Sequence, residues 1–551
     1  MRITMEFERQ TVYQIYPKSF NDSNGDGLGD LKGVTDKLLY LKELGIDYIW
    51  LTPFFISPQN DNGYDVADYR NIDPRYGTIE DAENLISEAG KLDIGIMLDM
   101  VFNHTSTEHE WFKKAMEGDP KYMDYYIFRD PKPDGSAPTN WVSKFGGNAW
   151  EYVPKFNKYY LHLFDKTQAD LNWENPQVRE ELKDILKFWQ NKGVKGFRFD
   201  VVNLISKPDV FEDDFEGDGR RFYTDGIRVH QYLKELCRDS GLNENGMMTV
   251  GEMSSTTIDN CIRYSNPEEK ELSMCFSFHH LKVDYKNGNK WELQPCDFMA
   301  LKNLLNKWQT GMEEGNGWNA LFWCNHDQPR VLSRFGNDKN YPTESAEMLA
   351  TMIHLMRGTP YVYQGEEIAM TNAYFEDISQ YKDVESLNYF KILKDDGIPE
   401  DEVYEILRCR SRDNSRTPMQ WDNSENAGFT TGTPWIEVNK NYKTINADNA
   451  VKNKNSVFHY YKKLIALRKE NDVIAYGSYN PEMEDNTNVC AYSREYEGKK
   501  LFVVCNFYGT ETKISLPDEF VGKEILISNY KDAKAEKEIT LRPFETFAVI
   551  K

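Results

Sequence analysis

The fold of this chain can be inferred from the stretch VKGFRFDVVN (194–203), an apolar run that ends in charged and polar residues. A run without polar alternation is typical of a strand that is buried on both faces of a sheet. Comparable runs recur along the chain, and most are followed by helix-like sequence such as LKGVTDKLLYLKELG (31–45). Repeated strand–helix units predict an α/β protein built on a closed parallel (β/α)8 TIM barrel.

Seven further apolar stretches complete the eight strand candidates of the predicted barrel. They are TVYQIYPKSF (11–20), IDYIWLTPFF (46–55), IGIMLDMVF (94–102), MMTVGEM (247–253), LSMCFSF (272–278), WNALFWCNHD (318–327) and TPYVYQGEE (359–367). A helix is also expected near residues 79–91, because the sequence there is amphipathic with a helical period.

Two regions break the strand–helix rhythm. Residues 105–175 are loop-rich, which predicts a small domain inserted after the third strand. From residue 476 onward, short alternating strands follow one another without helices, which predicts a C-terminal antiparallel β-sandwich domain over 476–551. The barrel itself is then expected to comprise residues 1–104 and 176–475.

Charge and cysteine usage narrow the classes of partner. The chain has 66 basic and 89 acidic residues and a formal net charge of −23, so nucleic acid and anionic membranes are not expected partners. An anionic substrate would need a local basic pocket. The eight cysteines show no CxxC pair and are expected to be buried free thiols. The N-terminal stretch lacks an apolar leader, so a cytoplasmic location is expected. The expected oligomeric state is a monomer.

Charged side chains follow several of the predicted strands at their C-terminal ends. In a barrel of this kind these ends face the active site. A rim of carboxylates mixed with His and Arg is costly to assemble, because like charges and desolvation both disfavour the ionised acids. Any single member could be a helix cap or a salt bridge, but the whole set favours catalysis. The members are Asp99, His104, Arg198, Asp200, Glu252, His326 and Asp327. Paired carboxylates without a metal or thiol predict glycoside hydrolysis.

Five segments, in this order along the chain, resemble the signature regions of glycoside hydrolase family 13, the α-amylase superfamily. They are DMVFNH (99–104), QADLNW (168–173), GFRFD (196–200), GEM (251–253) and NHD (325–327). The resemblance implies that Asp200 is the nucleophile, that Glu252 is the general acid and then base, and that Asp327 braces the distorted sugar. It also implies hydrolysis with retention of the α configuration.

The same resemblance assigns further residues to the sugar and predicts an exo-acting pocket. Arg198 would hold Asp200 ionised, while His104 and His326 would donate to hydroxyls. Two segments would close the non-reducing end of the pocket, DNGYD (61–65) and RTPMQW (416–421). The further substrate-binding residues are Asp61, Tyr64, Phe145, Gln168 and Arg416. Tyr64 could instead simply pack, and Arg416 could pair with a structural acid.

An oxygen-rich loop, DSNGDGLGD (22–30), predicts a structural metal. Oxygen ligands alternate along it from Asp22, Asn24, Asp26, the Leu28 carbonyl and Asp30, as at the start of a calcium loop. Gly33 stands where an EF-hand would have its glutamate, so an EF-hand is excluded. Oligo-glucosidases of the family carry a similar loop, which implies Ca²⁺ or Mg²⁺; the alternative is a metal-free loop of Asx-turns. No organic cofactor is expected.

Two stretches after the fourth and sixth strands indicate the glucoside. NLISKPDVFEDDFEGDGRRFYTDG (203–226) and SFHHLKVDYKNGNKW (277–291) resemble trehalose-6-phosphate hydrolases, whereas oligo-1,6-glucosidases diverge there. Val201, directly after the predicted nucleophile, fits the oligo-1,6-glucosidase branch as a whole. The two stretches concentrate cations that could bind a phosphate, with Lys282 the strongest candidate, although each could be a solvated surface residue. The candidates are Lys282, Lys286, Lys290, Arg220 and Arg221.

The expected reaction is therefore hydrolysis of α,α-trehalose 6-phosphate, a small phosphorylated disaccharide, to glucose and glucose 6-phosphate. The nearest alternative is an oligo-1,6-glucosidase that acts on isomaltose-type substrates. Sucrose isomerases are disfavoured, because the sequence after NHD lacks their charged loop. A non-catalytic, transporter-associated barrel is a third reading, but such proteins have a transmembrane helix and lack the complete set of acids.

Overall fold

The computed structural model describes residues 7–551. The expectation of no apolar leader, where it concerns residues 1–6, lies outside the described residues. No helix within the described range is long and apolar enough to cross a membrane. All eight cysteines are free thiols; six are buried, and Cys296 and Cys409 are half-buried.

Twenty-two strands occur between residues 7 and 551. They are β1 (Val12–Ile15), β2 (Tyr48–Leu51), β3 (Phe55–Ile56), β4 (Asp68–Ile72), β5 (Gly95–Met100), β6 (His104–Ser106), β7 (Phe128–Arg129), β8 (Trp150–Val153), β9 (Lys158–Leu161), β10 (Gln168–Asp170), β11 (Gly196–Phe199), β12 (Met248–Met253), β13 (Met274–Ser277), β14 (Ala320–Leu321), β15 (Thr359–Tyr363), β16 (Ser478–Glu482), β17 (Val489–Tyr496), β18 (Lys499–Asn506), β19 (Thr512–Ser515), β20 (Glu524–Ser528), β21 (Glu538–Leu541) and β22 (Thr546–Ile550).

Eighteen α-helices lie in the same range. They are α1 (Leu31–Asp36), α2 (Leu38–Leu44), α3 (Ile79–Lys91), α4 (Glu110–Glu117), α5 (Pro120–Met123), α6 (Pro176–Asn191), α7 (Arg220–Tyr223), α8 (Val229–Asp239), α9 (Ile258–Ser265), α10 (Phe298–Glu314), α11 (Val331–Phe335), α12 (Pro342–His354), α13 (Val384–Asp395), α14 (Glu400–Arg410), α15 (Asp413–Arg416), α16 (Ala447–Lys452), α17 (Val457–Glu470) and α18 (Asp472–Ala475).

Eight strands form the barrel sheet, in the order β13-β12-β11-β5-β2-β1-β15-β14. Each of them lies within one of the eight predicted apolar runs, so the prediction of the barrel strands is confirmed. The pairings of β11 with β5 and with β12 are parallel, as are those of β15 with β1 and with β14. The helix expected near 79–91 is α3.

Local sequence explains where several helices begin and end. At the start of α6, the Asn175 side chain accepts a hydrogen bond from the amide of Gln177, and Pro176 follows at the first helical position. Helix α10 starts in a similar way, with Asp297 accepting from the amide of Ala300. Helix α2 ends at Gly45, whose φ of 98° lies in the left-handed region that glycine adopts without strain.

The chain divides into two compact units. The first comprises residues 50–90 and 95–277, and within it the strands β5, β11, β12 and β13 are consecutive neighbours in the barrel sheet. The predicted insertion lies in this unit and contains a three-stranded antiparallel sheet in the order β7-β9-β8. Its core includes Trp141, Trp150 and Leu161, and it also takes in Val201 and Tyr223 from the segment after β11.

The second unit comprises residues 7–49, 91–94 and 278–551. At its C-terminal end, β16-β17-β18-β22-β20 form a five-stranded antiparallel sheet, and β19 pairs with β21. Side chains of both sheets share one core, in which Phe502 and Phe547 meet Ile514 and Leu541. The C-terminal antiparallel β domain is thus confirmed, while the predicted residue boundaries at 105, 176 and 476 stay predictions.

Candidate active site

The first group of predicted site residues surrounds Arg198 on β11. Arg198 pairs in register with Asp99 on β5 and with Val250 on β12. Asp200 and Glu252 each come two residues beyond this register, so their side chains emerge at the C-terminal ends of adjacent parallel strands. The barrel strands therefore place four of the predicted charged residues together.

Arg198 is almost fully buried and donates hydrogen bonds to three carboxylates. Its Nη1 lies 2.7 Å from Asp99 Oδ1 and 2.6 Å from Asp200 Oδ1. Its Nη2 donates to Glu252 Oε2. A guanidinium presents several donors in a fixed fork, so one arginine can orient all three acids at once. Burial opposes the charge on Arg198, but the surrounding acids hold its pKa well above the usual range.

Asp99 is the fully buried acid of this group. Its Oδ2 accepts hydrogen bonds from Trp50 Nε1 at 3.1 Å and from the Tyr64 hydroxyl at 2.9 Å. Burial raises the pKa of Asp99, and Asp200 adds to that effect while Arg198 opposes it. The side chain of Asp99 is 0% exposed, whereas Asp200 is 10% and Glu252 14% exposed. The two predicted working acids therefore reach solvent and Asp99 does not.

A second cluster of the same unit joins four predicted sugar-binding residues. Gln168 Nε2 donates to Asp61 Oδ2 at 3.1 Å and to the Tyr64 carbonyl at 3.2 Å. His104 Nε2 lies 3.1 Å from the same carbonyl and 3.3 Å from Gln168 Nε2. Burial lowers the pKa of His104. The structure brings these residues together, while their predicted contact with the sugar stays a prediction. Tyr64 also packs against Arg198, with 5.8 Å between the guanidinium carbon and the ring centroid.

A buried lysine is linked to His104 through Asn103. Lys207 Nζ is 2.8 Å from Asp170 and 2.8 Å from Asn103 Oδ1. The amide of Asn103 reaches His104 Nδ1 at 3.1 Å. Lys207 lies in the segment ISKP (205–208), where no local pattern links it to an acid. Its depth beside Asp170 could be found only from the fold.

Phe145 reaches the same cluster through a neighbouring ring. Its ring centroid lies 5.6 Å from that of Phe164, which in turn lies 5.2 Å from that of His104. Phe145 is half-buried. Its predicted contact with the sugar stays a prediction.

Val201, the residue after Asp200, adopts a left-handed backbone with φ 35° and ψ 40°. For a β-branched residue this conformation costs on the order of 1–3 kcal/mol and persists only where the surroundings enforce it. The Asp200 amide donates to the Met100 carbonyl on one side, and the Leu204 amide donates to the Val201 carbonyl on the other. The main chain that carries Asp200 is therefore tied on both sides.

In the second unit, Asp327 lies among three cationic or ring nitrogens. Arg416 Nη2 donates to Asp327 Oδ1 at 2.8 Å and Arg412 Nη1 at 3.2 Å, while His326 Nε2 lies 3.1 Å from Oδ2. Burial favours the neutral acid, but His326, Arg412 and Arg416 together hold the pKa of Asp327 well below its usual range. The Gln14 amide nitrogen lies 2.8 Å from Nδ1 of His326. Asp327 is 31% exposed, so it is an ionised acid open to solvent.

Arg412 was not predicted as a site residue. Its Nε and Nη2 donate to Asp383 Oδ1 at 2.9 and 2.6 Å, and its Nε lies 3.5 Å from Glu385. The side chain of Asp383 is 0% exposed, so it orients Arg412 and is not open to solvent. The sequence does contain a signal for Arg412, because arginines repeat in RSRDNSRTPMQW (410–421). Of these arginines, only Arg416 was predicted to bind the sugar.

The predicted phosphate-binding cations differ in their surroundings. Arg220 donates from Nε and Nη2 to Asp218, and Arg221 pairs with Glu216 at 2.7 Å. Each of these arginines is thus already paired with an acid.

Three lysines of the other basic stretch belong to the second unit. Lys290 is 19% exposed and lies 2.6 Å from Glu385. Lys282 and Lys286 are exposed. Phosphate binding by these three lysines and by Arg220 and Arg221 stays a prediction.

The predicted metal loop is organised by its own carboxylates. Asp22 accepts hydrogen bonds from three loop amides and from the Thr430 hydroxyl. Asn24 and Asp26 each accept one amide two residues ahead, at 2.9 Å. Asp30 accepts from the amides of Ser23 and Gly33. Among residues 7–551, no group of three or more His, Cys, Asp or Glu side chains is arranged to hold a metal ion.

This fold and these clusters identify the class of protein. The sequence profile of the α-amylase catalytic domain matches residues 14–477, and that of the α-amylase SusG C-terminal domain matches residues 489–547. The chain belongs to the α-amylase family, as the sequence motifs predicted.

Individual relatives cover almost the whole chain. It is 56% identical over 545 residues to the trehalose-6-phosphate hydrolase of Bacillus subtilis (strain 168), with 98% of this chain and 97% of that protein aligned. It is 49% identical over 549 residues to an oligo-1,6-glucosidase of Bacillus cereus, with 98% of both aligned. The crystal structure of Bacillus licheniformis trehalose-6-phosphate hydrolase superimposes with a TM-score of 0.95 at 55% identity and covers 99% of both chains.

Proposed function

We propose that this glycoside hydrolase cleaves α,α-trehalose 6-phosphate to glucose and glucose 6-phosphate. The single observation that carries the proposal is near-complete alignment, at 56% identity, with an enzyme named for that substrate. The exposure pattern of the acids supports the chemistry. Asp200, Glu252 and Asp327 reach solvent, while the acids that brace their arginines, Asp99 and Asp383, are 0% exposed.

In the proposed mechanism, Asp200 attacks the anomeric carbon of the unphosphorylated glucosyl unit while Glu252 donates a proton to the departing oxygen. In retaining enzymes the two working carboxyls stand about 5–5.5 Å apart. In the second step Glu252 acts as the base: it takes a proton from water, which attacks the anomeric carbon and releases the glucose from Asp200. Arg198 orients the Asp200 carboxylate through its 2.6 Å hydrogen bond. The configuration is retained because two displacements occur at the same carbon.

Asp327 is proposed to accept hydrogen bonds from the hydroxyls of the distorted sugar. Its lowered pKa keeps it an acceptor, and the fork from Arg412 and Arg416 fixes its direction. His326 and the cluster of Gln168, His104 and Asp61 are proposed to read the remaining hydroxyls. Polar groups already held by a protein network lose little entropy when the transition state forms.

The leaving glucose 6-phosphate is proposed to be bound by cations of the two basic stretches, with Lys282 as the main contact. In a protein of net charge −23, an anionic leaving group needs such local compensation. A sugar phosphate is also a substrate that a cytoplasmic enzyme would encounter, and we include that location in the proposal.

The metal loop is proposed to hold Ca²⁺ or Mg²⁺ as a structural ion. The donors are carboxylate, amide and carbonyl oxygens, which such hard cations prefer. Hydrogen bonds that repeat every two residues already curl the loop from Asp22 to Leu28. The fit is incomplete, because Asp22 accepts four hydrogen bonds, whereas Asn24 and Asp26 accept one each from the loop amides. The ion has no part in the reaction.

The decisive experiment compares kcat/KM for trehalose 6-phosphate, trehalose and isomaltose on the purified enzyme. We expect the phosphorylated substrate to exceed the other two by roughly a hundredfold or more, which corresponds to about 2.7 kcal/mol of recognition. Asp200→Asn and Glu252→Gln should each reduce kcat by several orders of magnitude while leaving Tm unchanged.

The alternative function is that of an oligo-1,6-glucosidase, which the 49% identity to the Bacillus cereus enzyme favours. A higher kcat/KM for isomaltose than for trehalose 6-phosphate would establish this alternative. Near-normal turnover by the Asp200→Asn protein would instead refute the assignment of the nucleophile.

A further inference from the structure

A buried arginine on α11 donates hydrogen bonds to the basic stretch after β13. Arg334 is 3% exposed and donates from Nε and Nη2 to the two carboxylate oxygens of Asp284, both at 2.8 Å. Its Nη2 also donates to the carbonyl of Leu281. Leu281 directly precedes Lys282, and Asp284 follows it by two residues. Arg334 therefore holds the main chain on both sides of Lys282.

The same guanidinium extends to the segment that carries Asp327. Arg334 Nη1 donates at 2.8 Å to Oε1 of Gln328, the residue next to Asp327. The three nitrogens of one planar group thus contact two segments, one with Asp327 and the other with Lys282. A lysine cannot reproduce this pattern, because an ammonium is a single point on a flexible stem.

A second arginine secures the basic stretch independently. Arg410, at the end of α14, donates from Nη1 to Asp284 Oδ2 and from Nη2 to the Asp284 carbonyl, both at 2.5 Å. The guanidinium carbons of Arg334 and Arg410 lie 5.6 and 5.2 Å from the ring centroid of Tyr285. Asp284 would therefore keep a cationic partner if Arg334 were replaced, which favours folding of such a variant.

We infer that Arg334 is a positioning residue for specificity: it sets the placement of Lys282 relative to Asp327, and so the fit of a substrate whose leaving group carries a phosphate. This inference rests on the proposed function and deepens it. Arg334 acts through Lys282 and does not itself touch the substrate. Its loss should weaken turnover of a phosphorylated glucoside more than that of an unphosphorylated one.

The test compares Arg334→Lys with wild type on trehalose 6-phosphate and on 4-nitrophenyl α-glucoside, which has no phosphate. We expect kcat/KM for trehalose 6-phosphate to fall about tenfold further than kcat/KM for the nitrophenyl substrate. Lys282→Met should show the same selectivity, and the double variant should be little worse than Lys282→Met alone, because contacts within one network are not additive. Equal losses on both substrates, or additive effects, would overturn the inference.

Two further variants separate positioning from general destabilisation. Arg494→Lys is the matched control, because Arg494 is another buried arginine, with the carbonyls of Leu355, Gly477 and Ser478 as partners. It should lower Tm without changing the ratio between the substrates, and a change in that ratio would count against the inference. If Arg334→Lys fails to fold, Gln328→Met removes only the arm that reaches beside Asp327 and should shift the ratio in the same direction.

The proposed function can fail independently of this inference. Wild type that prefers isomaltose would refute the proposed substrate before any variant is made. Wild type that prefers trehalose 6-phosphate, together with an Arg334→Lys protein of unchanged preference, would refute only the role of Arg334.

Discussion

Arg198 concentrates the electrostatics of the first cluster in one side chain. Three carboxylates share its guanidinium, and two of them are partly exposed while the third, Asp99, is 0% exposed. Without this shared cation the like charges of the three carboxylates would repel one another. The arginine therefore allows Asp200 and Glu252 to stand at neighbouring strand ends, where one can serve as nucleophile and the other as acid.

Replacing Arg198 by lysine should separate charge from geometry. Arg198→Lys keeps a positive charge but cannot donate to three acids in one plane. We expect kcat on the preferred substrate to fall roughly a hundredfold or more, as for a misplacement of about 1 Å in a reacting group. Steady-state kinetics and a Tm measurement check this result. Wild-type kcat in a stable Arg198→Lys protein would contradict the role given to the fork.

A buried acid away from the site should make stability depend on pH. Glu347 on α12 is 6% exposed, and burial, with Glu344 adding to it, raises its pKa from 4.5 to about 8. The folded protein keeps this proton up to about pH 8, whereas the unfolded chain releases it near pH 4.5. The contribution of this group is thus complete below pH 4.5 and is lost as the pH rises towards 8.

Glu347→Gln removes this titration. We expect the variant to raise Tm at pH 8 by roughly 2 °C or more and to leave Tm at pH 4.5 unchanged. Thermal unfolding at the two pH values checks the result. Glu344→Gln, which changes a half-buried residue, should have a smaller effect, and an identical Tm shift for Glu347→Gln at both pH values would contradict the argument.

At the scale of elements, helix α10 is fastened to the C-terminal domain by a buried lysine. Lys302 is 0% exposed, and its Nζ lies 2.5 Å from the Asn486 carbonyl, 3.2 Å from that of Met483 and 3.4 Å from that of Val489. These carbonyls belong to the connection between β16 and β17 and to the first residue of β17. One ammonium thus donates to three backbone carbonyls, of which that of Met483 also accepts a hydrogen bond from the Asn486 amide.

Lys302→Met should therefore destabilise the protein. Methionine fills much the same volume but cannot donate to the carbonyls of Asn486 and Val489, and a buried acceptor that is left unsatisfied costs about 1–3 kcal/mol. Thermal or urea unfolding checks this result. The control is Lys307→Met on the exposed face of the same helix, which should change little. Equal stability of the two variants would show that the ammonium contributes nothing there.

The metal loop gives a second prediction at this scale. If Ca²⁺ or Mg²⁺ holds the loop, excess EDTA should lower Tm, and returning either ion should restore it by mass action. Asp26→Ser should remove this dependence without affecting kcat, because the loop has no part in the chemistry. A Tm unaffected by chelation would identify the loop as a metal-free series of Asx-turns.

At the scale of the whole molecule, the net charge of −23 predicts a response to salt. Surface repulsion between like charges disfavours the compact state and is screened by salt, since the Debye length falls from about 30 Å at 0.01 M to about 8 Å at 0.15 M. We expect Tm to rise by a few degrees over this range of NaCl. A Tm that falls as NaCl is added would mean that attractive ion pairs outweigh the net repulsion.

Much of the architecture could be predicted because burial leaves a local trace in sequence. Each barrel strand lies within an apolar run, and the polar residues directly after these runs include Asp200 and Asp327. The C-terminal strands β16, β19 and β21 leave a weaker trace in the sequence, because they are short or carry polar residues on one face. The number of barrel strands follows from the continuous apolar runs, which depend only on neighbours along the chain.

Motif order also determined the family from sequence alone, and with it the candidate acids. What only the tertiary structure decided is which charged groups meet. The sequence contains Arg412, Arg334 and Lys207 as ordinary basic residues, yet the fold pairs them with Asp383, Asp284 and Asp170. These partners are separated by 29, 50 and 37 positions, so no local pattern links them. Hydrophobic periodicity is encoded locally, whereas the partner of a buried charge depends on which distant segments the fold brings together.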